Sequence, residues 1–501
     1  MNYSQRVLGI TTMTDANFSH RKDLPGFVKD LVYSGVPLIS SLISILFQVS
    51  SPSVIRSLVL ILFTCSVLLV IRRIRMDWKD GRLAGVAVVT GFFGWYAFPA
   101  FINFYSVRNS YINDLSIILD QGNATRAVTY LSLFLFIWVL TDHYFDKIRL
   151  FRSEFSTVFY KTNPVRLTLL GIACCTVGFI PYVVSGMGIS EIISLIFQSR
   201  LAEKPWIYTE NLGSFRSPFL YIAQSAMTAG ACILWLVTQE KSFPVYQKIV
   251  IGVCALMVSL LIFFDQGTRS VVALIILPVL LIKIFEVWKR SKLRFVISVF
   301  VFGVVFVSLL QFQLFYRISG IPAGLPNPHP QILKWATLDD TTDMFSETVY
   351  SLNLVPASHD FFRESVLVQF LVSPIPRFTW PSKPASQVVW FYTLHRWGID
   401  IYEGGGNVFP GIVGQSYMSW GGWGPIFLGL FMGLISSKVD GLLVRTSRNP
   451  DSYFRAVGVM MSVWILLSFR VISPGFIYPV MMVFVLVRLS SVRGGTVLNI
   501  F

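Results

Sequence analysis

Residues 54–71 read VIRSLVLILFTCSVLLVI, and residues 72–82, which follow directly, read RRIRMDWKDGR. The first stretch approaches the roughly 20 apolar residues that a helix needs to cross the hydrocarbon core of a bilayer. The second stretch is basic, with five Lys or Arg residues, and basic flanks are typical of the cytoplasmic end of a transmembrane helix. Because apolar runs with basic flanks recur along the chain, the sequence predicts a polytopic integral membrane protein.

Twelve stretches are long and apolar enough to be candidate transmembrane helices. They are 31–49, 54–71, 83–105, 126–141, 165–185, 217–238, 249–264, 270–287, 295–315, 409–437, 455–470 and 474–489. We therefore expect an all-α protein in five parts: a tail (1–30), nine helices (31–315), a large polar loop (316–408), three helices (409–490) and a second tail (491–501).

The composition agrees with this class. The chain of 501 residues is 54% hydrophobic and only 13% charged, whereas a soluble globular chain is about a quarter charged. The net charge of +15 does not predict nucleic-acid binding, because the cations form no continuous face. The five cysteines lie inside apolar runs, and no Cys or His spacing is typical of a metal site.

The basic loops predict the orientation. If all twelve spans exist, every dense Lys/Arg cluster falls on one side of the membrane, at 72–82, 142–166, 288–294 and 438–455. That side is then cytoplasmic and holds both termini, so the loop 316–408 is periplasmic. In a second outward segment, 186–216, apolar residues 189, 192, 193, 196 and 197 share one helical face. This pattern fits a helix in the interface plane, and a short buried helix remains the alternative.

The loop 316–408 contains three features that could carry chemistry. Arg377 and Lys383 lie between prolines, which restrict the backbone around both cations. His395 and Arg396 follow a run of aromatic residues, and the glycines 404–406 lead back to the membrane. The acidic positions 339, 340, 343 and 347 favour a solvated helix N-terminus, and the Gly429–Gly433 spacing predicts close helix packing.

Two motifs in this region resemble a known family. The first is IPRFTWPSKP at 375–384, and the second begins PGIVGQSY at 410–417 and continues with glycines at 421, 422 and 424. Together with QGTRS at 266–270 and Phe469–Arg470, they resemble the Wzy-type bacterial polymerases of O-antigen and capsule repeat units. The chain departs from the pattern at Gln415, where such polymerases often have Glu, so another residue would have to supply any acid–base function of that carboxylate.

The resemblance implies a fold like that of the GT-C-type O-antigen polymerases and ligases, and an active site on the periplasmic face of the bacterial inner membrane. The substrates would be undecaprenyl-pyrophosphate-linked oligosaccharides as donor and acceptor, with a chain-length regulator as a further partner. No cofactor is expected, and cationic side chains rather than a metal would bind the pyrophosphate.

The resemblance and the residue chemistry together give the expected site. The expected pyrophosphate ligands are Arg269, Arg377, Lys383 and Arg470. The expected catalytic residues are Arg377 and a general base, His395 or Glu403, although a lone loop His is more often a surface residue. The expected substrate contacts are Arg200, Trp380, Arg396, Gln415 and Tyr417.

Two other functions stay open at this level. One is a ligase of the related O-antigen type, which would transfer the glycan to a different lipid acceptor. The other is a transporter or flippase for a polysaccharide precursor, which predicts intramembrane charges along a central path. The predicted spans hold few charges away from their ends, which favours an enzyme over a transporter.

Overall fold

A computed structural model describes most of the chain. It covers residues 24–48, 51–105, 121–147, 160–198, 216–266, 269–291, 343–363, 387–398, 409–446, 452–472 and 474–493, with scattered positions in 293–312 and 372–380. The predicted span 295–315 falls largely outside the described residues, so its existence stays a prediction.

The first half of the described chain is almost entirely helical. Its elements are α1 (Leu24–Leu46), α2 (Pro52–Asp80), α3 (Ala84–Phe92), a π-helical turn (Phe93–Ala97), α4 (Phe98–Tyr105), α5 (Gln121–Lys147), β1 (Tyr160–Thr162), α6 (Pro164–Val184), α7 (Ile189–Ile196), α8 (Arg216–Val237), α9 (Val245–Gln266) and α10 (Arg269–Arg290). The turn joins α3 and α4 into one continuous rod.

The second half contains shorter helices before it returns to long ones. Its elements are α11 (Met344–Leu354), α12 (Gln387–Trp397), α13 (Gly411–Trp420), α14 (Trp423–Thr446), α15 (Ser452–Ser468), α16 (Pro474–Ser490) and β2 (Ser491–Arg493). The loop predicted at 316–408 therefore contains at least the two helices α11 and α12.

Among the described residues, seven helices are long and apolar enough to cross a membrane: α1, α2, α3–α4, α5, α6, α9 and α14. Shorter apolar helices lie in α8, α10, α15 and α16. The prediction of an all-α membrane protein is confirmed at this level. The prediction of one span over 409–437 is wrong, because Gly421 and Gly422 separate α13 from α14.

Helix α5 forms the centre of the bundle and packs on α1 and α14. Its contact with α14 is close because α14 presents glycines there. A Cβ at Gly429 would lie 2.9 Å from the carbonyl oxygen of Phe134, and a Cβ at Gly433 would lie 2.6 Å from Cβ of Thr141. The close packing predicted from the Gly429–Gly433 spacing is therefore confirmed.

A buried ion-pair network ties together the ends of α1, α2 and α5. The Arg73 guanidinium lies 3.2 Å from a carboxylate oxygen of Asp30 and 3.1 Å from those of Asp77 and Asp142. Arg73 is 3% exposed, so these carboxylates supply the charge that a buried cation requires. Arg72 also pairs with Asp30. The segment predicted as a loop at 72–82 is thus helical up to Asp80, and its first two arginines are structural.

Asp440 of α14 joins this end of the bundle to α3. Its carboxylate accepts hydrogen bonds from the backbone N–H groups of Ala84 and Gly85, at 2.8 and 3.0 Å. These amides begin α3 and have no partner within the helix. A side chain 355 residues away in sequence therefore caps α3.

A short antiparallel ladder joins β1 to β2, with Lys161 opposite Val492. The N–H of Asn163 extends it by donating to the carbonyl of Ser490 at 3.0 Å. The ladder places the start of α6 beside the end of α16. We call this the ladder end of the bundle, and in the twelve-span orientation it is the cytoplasmic end.

Helix α7 has an exposed apolar face. Ile189 is 78% exposed and Ile193 50%, while Ile196 is buried. Phe197, just beyond the helix, packs edge-on against Phe264 of α9. A fully buried helix is therefore excluded for this segment, and an interfacial position is consistent with its exposed isoleucines.

Candidate functional site

The motif segment 410–417 forms a buried helix, α13, inside the bundle. Nearly all of its residues are buried, and it meets α14 at a sharp break. Gly421 has φ +60°, and a Cβ at Gly424 would overlap the carbonyl oxygen of Ser416. The glycines that the sequence motif places at 421 and 424 are therefore required by this turn.

The N-terminus of α13 is bonded to the tip of the α15–α16 hairpin. The N–H of Ile412 donates to the carbonyl of Phe469 at 3.4 Å, and the N–H of Val413 donates to the Tyr96 hydroxyl at 3.2 Å. The same hydroxyl donates to Phe469 O at 3.2 Å. Since these two amides are already bonded to protein, an anion bound here would depend chiefly on side chains for positive charge.

Arg470 lies at about mid-height in the bundle. It follows Phe469, whose ring packs edge-on against Phe134 at 5.9 Å. Phe134 is the central residue of α5, so each end of α5 is about 20 Å away along the helix axis. Helices α15 and α16 have 17 residues each, or about 25 Å, which is shorter than the ~30 Å hydrocarbon core.

The Arg470 guanidinium also packs on an aromatic ring. Its Cζ lies 5.7 Å from the ring centroid of Phe409, the residue before the α13 motif. Two stretches that resemble the polymerases, 410–417 and Phe469–Arg470, therefore meet in the structure although they lie about fifty positions apart in the sequence. This contact is the main geometric feature of the candidate site.

Helix α11 places a buried carboxylate beside α13. The two helices pack together, with Gly411 against Met344 and Gly414 against Thr348 and Ser351. Glu347, which lies between those α11 contacts, is 2% exposed. Sequence reasoning treated it as part of a solvated acidic cluster. The expected solvation is wrong for both Glu347 and Asp343, which are buried, but the expected helix N-terminus is confirmed: Asp343 caps α11 by accepting from the N–H groups of Phe345 and Ser346.

Helix α12 supplies the partners of Glu347. The Tyr392 hydroxyl donates to the Glu347 carboxylate and, at 3.1 Å, to its backbone carbonyl. Arg396 Nε lies 3.6 Å from the other carboxylate oxygen, and its Cζ lies 5.1 Å from the ring centroid of Tyr350. Burial first, then the adjacent carboxylate, raises the pKa of Tyr392 well above its ordinary value. Tyr392 therefore remains a hydrogen-bond donor at neutral pH.

The described site residues fall into two groups. Arg470, Gln415 and Tyr417 belong to the first, around α13, where Gln415 is buried and the Tyr417 hydroxyl donates to Val355 O at 3.2 Å. His395 and Arg396 belong to the second, on α12. The Nδ1 of His395 lies 2.9 Å from the carbonyl of Phe391, one helical turn earlier.

The remaining predicted residues are only partly described. Arg269 begins α10, and Trp380 is 37% exposed. Arg200, Arg377, Lys383 and Glu403 lie outside the described residues. Within the part of the chain that is described, no group of three or more His, Cys, Asp or Glu residues could hold a metal ion.

Comparisons with known proteins give one match. Residues 338–445 match a family described only as a domain of unknown function (DUF8712). No curated protein and no solved structure matches the chain. The matched segment includes α11 to α13 and most of α14, so it contains Glu347, Arg396 and Gln415 but not Arg470.

Proposed function

We propose that this chain is a membrane glycosyltransferase that polymerises undecaprenyl-pyrophosphate-linked oligosaccharide repeat units. The reaction would take place on the periplasmic side of the bacterial inner membrane, in the synthesis of O-antigen, capsule or a related surface glycan. The observation that carries the proposal is the position of Arg470 at mid-height in the bundle, on the ring of Phe409, which directly precedes the segment that resembles the polymerase motif.

In the proposed reaction, a hydroxyl oxygen of the acceptor sugar attacks the anomeric carbon of the donor glycan. The bond between that carbon and the pyrophosphate oxygen breaks, and undecaprenyl pyrophosphate leaves with the bonding electron pair. The hydroxyl proton passes to a general base, for which His395 and Glu403 are the candidates. Negative charge develops on the leaving oxygen, so fixed cations accelerate the step. We assign that role to Arg269, Arg377, Lys383 and Arg470.

The depth of Arg470 supports this assignment on energetic grounds. A cation at membrane depth is energetically costly, and such residues usually mark functional positions. Packing against the Phe409 ring offsets part of that cost. A bound pyrophosphate would offset more, since charge-assisted hydrogen bonds from a guanidinium are strong and frequently bidentate.

The buried Glu347 gives a second line of support, because it fixes Arg396. One carboxylate oxygen lies 3.6 Å from Nε of Arg396, and the other accepts from the Tyr392 hydroxyl. The Arg396 side chain is 16% exposed, so part of it remains able to contact a substrate. In the proposal, Glu347 is a positioning residue that orients Arg396 beside the donor glycan or its pyrophosphate.

The charges of the ladder end argue against a transporter. A flippase path would be lined by polar groups available to the passing headgroup, but Arg73 and its three carboxylate partners are paired with one another. Within the described residues they form a network that joins helices. This arrangement favours an enzyme over a transporter.

One reconstitution separates the three activities. Purified protein in nanodiscs receives only the lipid-linked repeat unit, and products are resolved on a gel. A ladder of polymer supports the proposal. Product that forms only after a second acceptor lipid is added identifies a ligase. Transbilayer movement of labelled substrate in proteoliposomes without chain growth identifies a flippase.

Variants then test the site. We expect Arg470→Met and Arg377→Ala to abolish the ladder while the protein still inserts and accumulates. Arg377→Lys should be poorly active if the contact is bidentate. The matched control is Arg75→Met, because Arg75 is an exposed arginine of α2. A wild-type ladder from Arg470→Met would remove that residue from the site.

A further inference from the structure

An apolar groove opens toward the membrane at the ladder end, between the first turns of α6 and α9. Its volume is about 310 Å³, and its walls include Val165 and Leu169 from α6 and Tyr246 and Val250 from α9, with Phe243 at its base. The four wall residues are between 56% and 66% exposed. Both helices are candidate membrane spans, so these side chains would face hydrocarbon.

Basic side chains flank the same groove. Arg166 follows the lining residue Val165, Lys248 follows the lining residue Gln247, and Lys241 precedes Phe243 by two positions. Arg166 and Lys241 are exposed, and Lys248 is half-buried. Long cationic side chains at such positions extend toward the level of lipid headgroups.

The one acidic residue near the groove, Glu240, already has hydrogen-bond partners within the protein. Segments 160–169 and 239–251 contain a single carboxylate, Glu240. It accepts from the Tyr453 hydroxyl at 3.0 Å and from Ser242 at 3.3 Å. Burial alone would raise the pKa of Glu240, but these hydrogen bonds outweigh it and lower the pKa. Glu240 is therefore ionised and bonded to α15. Its single negative charge does not balance the three positive charges of Arg166, Lys241 and Lys248.

We propose that this groove is a binding site for an anionic phospholipid of the leaflet at the ladder end. One acyl chain occupies the groove, and the phosphate contacts Arg166, Lys241 and Lys248. A small inorganic anion would leave the apolar walls unused, and a zwitterionic lipid would leave the excess positive charge uncompensated. Basic pockets between membrane helices are suited to anionic headgroups, and Tyr246 at the rim is a side chain typical of the interface.

The test is lipid retention by the full chain, measured by native mass spectrometry. The protein is released from nanodiscs that contain phosphatidylglycerol or phosphatidylcholine with identical acyl chains. We expect the wild type to retain one phosphatidylglycerol and to lose phosphatidylcholine. In Arg166→Gln/Lys248→Gln, the affinity for phosphatidylglycerol should fall about thirty-fold, because each cation near the surface contributes roughly 1 kcal/mol.

Variants of the walls separate the groove from general surface charge. Leu169→Trp and Val250→Trp fill the groove from opposite sides, and each should abolish retention of phosphatidylglycerol. The controls are Ile172→Trp, on an exposed α6 position outside the lining, and Arg75→Gln. Equal retention of both lipids by the wild type, or unchanged retention in the double charge variant, would overturn the proposal. The polymerase assay is not involved, so the two proposals fail independently.

Discussion

Replacing Arg73 with methionine should destabilise the bundle more than any exposed arginine substitution does. The change removes one guanidinium from three carboxylates that lie 3.1–3.2 Å from it. Asp30 would keep Arg72, and Asp142 would keep the hydroxyl of Ser436, which donates to it at 3.2 Å. Asp77, the third carboxylate, is buried and would lose the cation with which it is paired.

The magnitude follows from those contacts. Removing one partner of a buried ion pair costs about 3–5 kcal/mol, because the other charge is left uncompensated in the interior. Arg73→Lys should cost less than Arg73→Met but should not be neutral. A single ammonium cannot reproduce a guanidinium that contacts Asp30 through Nη2 and both Asp77 and Asp142 through Nη1.

The assay is reversible unfolding in mixed micelles with increasing SDS, followed by tryptophan fluorescence. Trp138 is one of the thirteen tryptophans that contribute to this signal, and Arg73 Cζ lies 5.0 Å from its ring centroid. Arg75→Met, two positions along the same helix and exposed, should change the unfolding free energy by less than about 0.5 kcal/mol. Equal losses in the two methionine variants would refute the reasoning, as would an Arg73→Met protein as stable as the wild type.

Further predictions concern helix packing and the α11–α12 unit. Gly433→Leu should prevent the close approach of α14 to α5 and lower accumulation in the membrane, whereas Gly441→Leu, with open space around its Cα, should accumulate normally. Between Glu347→Gln and Arg396→Met, a double-mutant cycle should give a coupling of about 1–3 kcal/mol in unfolding, and additive losses would contradict the ion pair. Stability should fall above about pH 10, because an unfolded tyrosine ionises near there while Tyr392 resists ionisation. Tyr392→Phe should reduce that alkaline loss, and an unchanged pH profile would count against it.

The class of the protein could be predicted from sequence because hydrophobic runs are local. A candidate span is recognised from the hydrophobicity of about twenty consecutive residues. The composition of the segments therefore predicts the helices α2, α5 and α9. The close packing of α14 could also be predicted from sequence, since the Gly429–Gly433 spacing places two small residues on one helical face. Both predictions can be made without knowing which residues the helices contact in the folded protein.

The break between α13 and α14 was not predicted for a physical reason. Hydropathy averages over a window, and residues 409–437 contain no charged residue, so the turn at Gly421 leaves no trace in the average. In the sequence, the glycines at 421, 422 and 424 stand out only through the resemblance to the polymerase motif. Their conformational cause, a positive φ and a backbone contact, depends on how α14 folds back on α13.

The burial of Glu347 could not be predicted because the helix that carries it is polar in sequence. The α11 sequence MFSETVYSLNL contains enough polar residues to suggest a water-exposed helix. Side chains from distant segments are the partners of its polar groups: Tyr392 donates to Glu347, Arg396 forms an ion pair with Glu347, and Asn103 donates to Asp343 and Ser346. A single sequence does not reveal such partners. Buried polar residues are therefore the part of a site that sequence patterns miss most easily.

The limits of the matched segment have a mechanistic consequence. Residues 338–445 include the Glu347–Arg396 pair and α13, yet the N-terminal amide of α13 at Ile412 bonds to Phe469, outside the segment. Arg470 is the next residue, so the hydrogen bond that anchors α13 also sets the height of this guanidinium.

A substitution that frees the tip of the α15–α16 hairpin should therefore impair polymer formation even when every residue of 338–445 is intact. Tyr96→Phe is the sharpest such change, because it deletes the hydroxyl that bridges Val413 and Phe469. A Tyr96→Phe protein with a full polymer ladder would show that the anchor is not needed to place Arg470.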